Sequence, residues 1–421
     1  MMTDTRPERV GVTRHLSRRN VLTGLLTLGI VGVTGSGITW LTAGQDSSAS
    51  TSSLPTDNTP HLSSTPTATN HAMFGFNAQH THSNGDEHIL SPTTVGNLTL
   101  AWTFATGDSI EASPISADGV IYIGSTDGKM YAIDAQTGNV RWNSDPTGGG
   151  IVSSAAVVAG TVFAGSRDGK CYAFETQSGK TRWVSEATGG GIEASTTVVD
   201  GQVYVASASG RVYALDALTG KTRWTSPIGG SLGSSPAIQD GIVYVGARDN
   251  KIYAFDAQSG KTRWISDPTN GAIFCSPALD GSSVYAGSDQ GSMYAFDPAT
   301  GKVHWSSAVI GAAIYSSPAI ANDTVYAGST AGKMYALNAR SGNVRWISPL
   351  TGPIASSPMI ANGVVYAGSY DYKVYAFDAH SGRILWTSPA TGSSIFSSPL
   401  VSNGMLYIGS HDAKVYAYHL Q

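Results

Sequence analysis

Eight of the nine tryptophans in this 421-residue chain fall at Trp102, Trp142, Trp183, Trp224, Trp264, Trp305, Trp346 and Trp386, spaced by 40 or 41 residues. Two further aromatic series keep the same step. One runs Tyr122, Phe163, Tyr204, Tyr244, Tyr285, Tyr326, Tyr366, Tyr407, and the other Tyr131, Tyr172, Tyr213, Tyr253, Tyr294, Tyr335, Tyr375, Tyr416. Three series in phase define one unit copied eight times. A repeat array buries apolar surface between neighbouring units, so the two or three domains that length alone suggests give way to a single body.

Turn residues divide each unit into short β-like runs. The unit from Ile354 reads as a first strand Ile354–Ile360, a second from Val364 to Ser369, a third from Lys373 to Asp378 and a fourth from Arg383 to Ser388, with Asn, Gly and Asp between them. Alternating aromatic and β-branched residues bounded by such turns are strand and hairpin signals. Four strands in about 41 residues is the blade of a β-propeller. First strands are expected at Ile110, Ile151, Ile192, Leu232, Ile273, Ile314, Ile354 and Ile395, while the last unit stops at Gln421 before any fourth strand. Residues 98–104, carrying the orphan Trp102, are expected to supply that strand and close the ring, removing the open edge of a linear array. The expected fold is all-β: an eight-bladed propeller of four-stranded antiparallel blades over residues 98–421. The 50 glycines and the 13% charged residues, about half the usual quarter, follow from turns and buried blade faces multiplied by eight.

The residues before the repeats divide in three. Residues 1–45 hold Arg6, Arg9, Arg14, Arg18 and Arg19, then an uncharged stretch from Val21 to Leu41, near the length that spans a bilayer. Ser17-Arg18-Arg19-Asn20-Val21-Leu22 resembles a twin-arginine export signal, departing from it at Val21 and Thr23. The chain is therefore expected outside the cytoplasm, either released or tethered to the outer face of the membrane through residues 21–41. Residues 46–70 are rich in Ser, Thr and Pro and read as a flexible linker, and residues 71–97 as a lead-in segment. Without residues 1–45 the body carries a balance of −7, which disfavours nucleic acid and other polyanions.

The turn between third and fourth strands reads A-x-D-x-x-T-G-x-x-x-W, as from Ala132 to Trp142, from Ala214 to Trp224 and from Ala295 to Trp305. Ser replaces Thr before Trp264, Trp346 and Trp386, and Glu175 and Asn338 replace Asp. This resembles the tryptophan-docking motif of the pyrroloquinoline quinone (PQQ) repeat superfamily, which includes eight-bladed quinoprotein alcohol dehydrogenases and non-enzymatic BamB-like outer-membrane assembly lipoproteins. Phe74-Gly75-Phe76-Asn77-Ala78-Gln79-His80-Thr81 resembles the lead-in of such proteins. The motif speaks for the fold and leaves function open, because catalytic and scaffolding members share it. The repetition of Trp102, Trp142, Trp183, Trp224, Trp264, Trp305, Trp346 and Trp386 around the ring points to structural docking.

Chemistry is sought where the repeat breaks. The second residue of the Ile-x-Ser-Ser-Pro run is Glu111, Val152, Glu193, Gly233, Phe274, Tyr315, Ala355 and Phe396. Glu111, Glu193, Phe274, Tyr315 and Phe396 are candidate ligand contacts at the channel rim, although the same positions suit wedges between blades. The resemblance implies a quinone contact at Glu111. Lys129, Lys170, Arg211, Lys251, Lys333, Lys373 and Lys414, with Asp127, Asp168, Asp249, Asp371 and Asp412 just before five of them, read as a zwitterionic rim serving solubility rather than an anion site. Cys171 and Cys275 lie three blades apart, so the adjacent cysteine pair that the resemblance implies for the dehydrogenases is missing, and the units carry no long insertion. His71, His80, His82 and His88 lack the spacing of a structural zinc site, and neither a metal nor catalytic residues are expected. The leading expectation is an exported, non-enzymatic, monomeric scaffold binding a protein or carbohydrate partner without a cofactor. The alternatives are a PQQ- and calcium-dependent dehydrogenase with minimal loops, and a surface sensor of a small ligand.

Overall fold

The computed structural model describes residues 72–421 apart from 228, 229, 309 and 311; the export segment, the linker and His71 lie outside the described residues. Eight antiparallel sheets follow one another: blade 1 (residues 115–143), blade 2 (156–184), blade 3 (197–227), blade 4 (237–265), blade 5 (278–306), blade 6 (319–347), blade 7 (359–387) and blade 8. Blade 8 takes its three inner strands, Leu400–Ser402, Met405–Ser410 and Lys414–Leu420, from the C-terminus and its outer strand, Leu98–Ala105, from the start of the ring. Closure by the N-terminal strand thus holds, with Leu98 opposite Leu420 and Ala105 opposite Lys414.

The tryptophans lock each blade to the next. Trp142 sits at the outer edge of blade 1, yet its indole N–H donates to the Thr176 carbonyl of blade 2 at 2.7 Å. The same bond recurs from Trp102 to Ala135, Trp183 to Ala217, Trp224 to Ala257, Trp264 to Pro298, Trp305 to Ala339, Trp346 to Ala379 and Trp386 to Leu98. Seven of the eight indoles, all but Trp386, lie against the glycine of the neighbouring Thr/Ser-Gly turn, where φ is positive; a Cβ on Gly138 would stand 2.7 Å from the Trp102 ring. Glycine is needed twice there, for the left-handed backbone and for the indole's approach. The aspartate of the turn caps it: the Asp134 Oδ1 accepts from the backbone N–H groups of Gln136 and Thr137, and Arg141 holds Oδ2 at 2.8 Å. Arg141 and those bonds pull the carboxyl down to about 2.

The innermost strands are shorter than their sequence suggests. Paired residues begin at Ile115, Ala156, Thr197, Ala237, Ala278, Ala319, Met359 and Leu400, five residues after each expected start. The Ile-x-Ser-Ser-Pro run leaves the ladder because its donors are used elsewhere. In every blade the backbone N–H of the second serine donates to the hydroxyl of the equivalent serine in the next blade: Ser113 to Ser154, Ser195, Ser235, Ser276, Ser317, Ser357, Ser398 and back to Ser113, at 2.9–3.2 Å. Eight bonds form a closed circle around the channel. The proline that follows six of these serines has no N–H to offer a ladder.

Below this circle the lead-in segment crosses the channel. Carbonyls of Ala72, Ala78, Gln79, Thr81 and His82 accept from Val157, Ile238, Leu279, Ile320 and Ile360, the second residues of five innermost strands. Ser83–Asn84 pairs parallel with Met359–Ala361, and the Asn84 amide donates to Val401. Buried Glu87 accepts from Ile89, Leu90 and Gly404. The segment is a strap that stops one end of the channel and leaves the other end as the mouth. Among the described residues no helix is long and apolar enough to cross a membrane.

Candidate functional site

The mouth is built from two interlocked rings. The inner one is the second residue of Ile-x-Ser-Ser-Pro. The outer one is the residue following Gly-Ser at the end of each second strand: Thr126, Arg167, Ala208, Arg248, Asp289, Thr330, Tyr370 and His411, with Ala replacing Gly or Ser in blades 3 and 4. One pairing joins them at four junctions: the outer residue of one blade touches the inner residue of the next. Arg167 reaches Glu193, Arg248 lies over Phe274, Tyr370 packs on Phe396 and His411 approaches Glu111.

Arg167 is the hub of one half. Its Nη2 lies 3.3 and 3.2 Å from the two Glu111 oxygens, and its Nε lies 3.2 Å from Glu193 Oε1. The Glu111 side chain is 15% exposed, and the His411 Nε2 stands 3.9 Å from its Oε1. His411 stacks on Phe396 at 4.3 Å between ring centroids, and Tyr370 packs on Phe396 at 4.4 Å. Glu111, Glu193 and Phe396 are therefore brought into one cluster. Phe274 and Tyr315 form a second, edge to face at 5.4 Å, with the Arg248 guanidinium 5.0 Å from the Phe274 centroid. Glu111 and Glu193 do not meet Phe274 and Tyr315.

Arg167, Arg248, Tyr370 and His411 are not among the residues that the innermost strands and the basic turns single out in the sequence. The signal was available: the position after Gly-Ser is as variable as its inner partner, while the residues around both repeat. The aspartates of the expected zwitterionic rim have a different duty. The Tyr131 hydroxyl donates to Asp127 Oδ2 at 2.5 Å, Gly107 N–H donates to the same oxygen and Lys129 N–H to Oδ1. Asp168, Asp249, Asp371 and Asp412 receive Tyr172, Tyr253, Tyr375 and Tyr416 in the same way. In these five blades the carboxylate anchors the tyrosine; in the other three the tyrosine bonds the backbone of the preceding loop directly, Tyr213 donating to the Thr188 carbonyl, Tyr335 to the Ile310 carbonyl and Tyr294 accepting from the Asn270 N–H.

His80 and His82 lie in the strap, buried, in edge-to-face contact with Phe74 at 5.4 and 4.8 Å. Burial drops His80 to about 4 and His82 to about 3, so both rings are neutral near pH 7. His88 is exposed. Cys171 and Cys275 are buried free thiols pushed up to about 12 by burial, and Cys275 takes a serine's place, its Sγ exchanging hydrogen bonds with Gly287. A calcium-bound quinone does not fit the mouth. Calcium asks for six to eight oxygens, whereas both Glu111 oxygens face a guanidinium. Among the described residues no three His, Cys, Asp or Glu side chains converge as metal ligands.

Comparison with known proteins agrees with the architecture. Residues 189–421 match the family described as the β-propeller of beta-alanine-activating enzyme, and residues 75–190 match that of the outer membrane protein assembly factor BamB. The lupanine 17-hydroxylase [cytochrome c] of a Pseudomonas species is 41% identical over 59 residues, 14% of this chain and 8% of that one. The chain thus aligns with less than a tenth of the length of the curated relatives it matches. The structure of BamB from Moraxella catarrhalis superposes with a TM-score of 0.64 at 21% identity, over 76% of this chain and 99% of that one. For the quinohemoprotein alcohol dehydrogenase of Comamonas testosteroni the TM-score is 0.72 at 16% identity, over 83% and 80%. At these identities the superpositions speak for the fold. With the matched family covering more than half of its length and the tryptophan-docking turn recurring around its eight blades, the chain belongs to the PQQ-repeat β-propellers, in the propeller family of the beta-alanine-activating enzyme.

Proposed function

We propose that this protein is an exported, non-enzymatic propeller that acts as a monomeric scaffold and presents its channel mouth to a protein or carbohydrate partner. The observation that carries this reading is the Arg167 clamp on Glu111 and Glu193. A carboxylate whose oxygens both face a guanidinium is already engaged and is poorly placed to hold a cation. It serves instead to fix the shape of a surface. Strap, serine circle and interlocked rings make that surface rigid before binding, which lowers the ordering cost of association. The likeness to an outer membrane protein assembly factor supports a protein partner outside the cytoplasm.

A photo-crosslinking amino acid at Tyr315, on the mouth, compared with one at Leu218, 57% exposed on the opposite face, tests the reading in living cells. Partner adducts at position 315 and none at 218 are expected. Equal labelling at both positions, or labelling at neither, contradicts it.

A further inference from the structure

One junction of the mouth departs from the others. In the same pairing Ala208 of blade 3 corresponds to Gly233 of blade 4, the pair with the smallest side chains in the two rings. Where Gly233 stands the other blades carry Glu, Val, Phe, Tyr or Ala. Among the described residues a Cβ built on Gly233 has one heavy atom within 4 Å, the Arg248 Nη2 at 3.9 Å, so the glycine opens a notch beside a guanidinium.

Arg248 is held for that notch. Its guanidinium rests over Phe274, which is itself fixed by Tyr315. Among the described residues its buried Nε has no hydrogen-bond partner, and no carboxylate lies within ion-pair distance of it. Arg167, one repeat pair earlier, shows what a satisfied arginine in this position looks like: it binds the inner residues of the blades before and after its own. For Arg248 those residues are Glu193, already held by Arg167, and Phe274. A guanidinium with a buried, unmade donor costs free energy until an acceptor arrives. Its planar fork matches a carboxylate.

We propose that the notch between blades 3 and 4 receives a carboxylate group, bound by Arg248 across the gap left by Gly233. The inference rests on the mouth being a binding surface and names the chemistry it selects. The carboxylate comes either from an acidic side chain of a partner or from a free organic acid, and the two sources are separable.

The test uses the full chain, following the Arg248 Nε–H resonance by NMR during titration with two probes: succinate, and a Gly-Glu-Gly peptide blocked at both ends. Saturable shifts with at least one probe are expected. Binding of the peptide alone assigns a protein side chain, and binding of succinate a free acid. Calorimetric titration of Arg248→Met should show affinity at least about tenfold weaker, in line with a charge-assisted hydrogen bond, and Arg248→Lys an intermediate value. Gly233→Glu fills the notch with an internal carboxylate at a position with ordinary backbone, and should abolish binding while moving the resonance before any probe is added. Failure of the wild-type chain to bind either probe overturns the proposal, as does affinity within about twofold of wild type in both Arg248→Met and Gly233→Glu. Partner adducts at position 315 that persist in Arg248→Met would overturn the notch as anchor while leaving the scaffold reading intact.

Discussion

Gly165 and Ile192 meet face to face between blades 2 and 3, and a Cβ on the glycine would overlap the isoleucine Cγ2. Six further Gly–Ile pairs of this kind join Gly124 to Ile151, Gly246 to Ile273, Gly287 to Ile314, Gly328 to Ile354, Gly368 to Ile395 and Gly409 to Ile110. The remaining junction has Ala206 and Leu232, both in one buried cluster. Adding a methyl to one side and moving the branch from Cβ to Cγ on the other is a paired change in shape, since Ile places its Cγ2 where the alanine methyl must go. Gly165→Ala is therefore expected to destabilise by about 1–3 kcal/mol through overpacking, and Ile192→Leu to recover part of that loss in the double variant. Urea unfolding of the four members of the cycle measures it. Additive effects would show that the pair is not coupled in this way.

Two buried histidines make the stability of the strap depend on pH. His80 and His82 ionise near 6.5 in an unfolded chain but only near 4 and 3 when folded, chiefly because burial disfavours the charged rings. The unfolded chain thus binds more protons between those values. The stability these rings support is complete above about pH 6.5 and is lost as pH falls toward 4 and 3, with His80 alone accounting for about 3 kcal/mol. A variant with both histidines replaced by Gln should lose less stability than wild type between pH 7 and 4, a window above the titration of Asp134 and Asp256, held near 2 by their arginine and hydroxyl partners. Parallel stability–pH curves would contradict this.

At the same scale lies the boundary of what the residues alone disclose. The strands, the closing segment 98–104 and the docking turns were legible because each signal is local and belongs to a unit repeated eight times. The strap was not, because its backbone pairs with innermost strands far along the chain and its own residues carry no periodicity. The shortening of the innermost strands was hidden for a related reason: the bonds that replace the ladder run between blades, from Ser113 to Ser154 and onward. In the mouth, Glu111, Glu193, Phe274, Tyr315 and Phe396 could be named as rim residues, but not the arginines that organise them. Arg167 meets Glu111 across two blades, and no spacing in one unit reveals a contact made in the next.

For the molecule as a whole, three circles share one axis. Indole-to-carbonyl bonds tie blade to blade on the outside, serine hydroxyls tie them around the channel, and the two rings of variable residues close the mouth. The first two are uniform, as a structural duty requires. The third is not. Fold likeness to both an assembly factor and a dehydrogenase leaves the mouth to decide between binding and redox chemistry. The direct measurement is equilibrium dialysis of the purified full-length protein against pyrroloquinoline quinone with calcium, followed by gel filtration and dye-coupled oxidation of alcohols and sugars. The clamped carboxylates predict that quinone absorbance separates from the protein and that no dye is reduced. Quinone retained with the protein in a defined ratio, with dye reduced on addition of substrate, would contradict the scaffold reading.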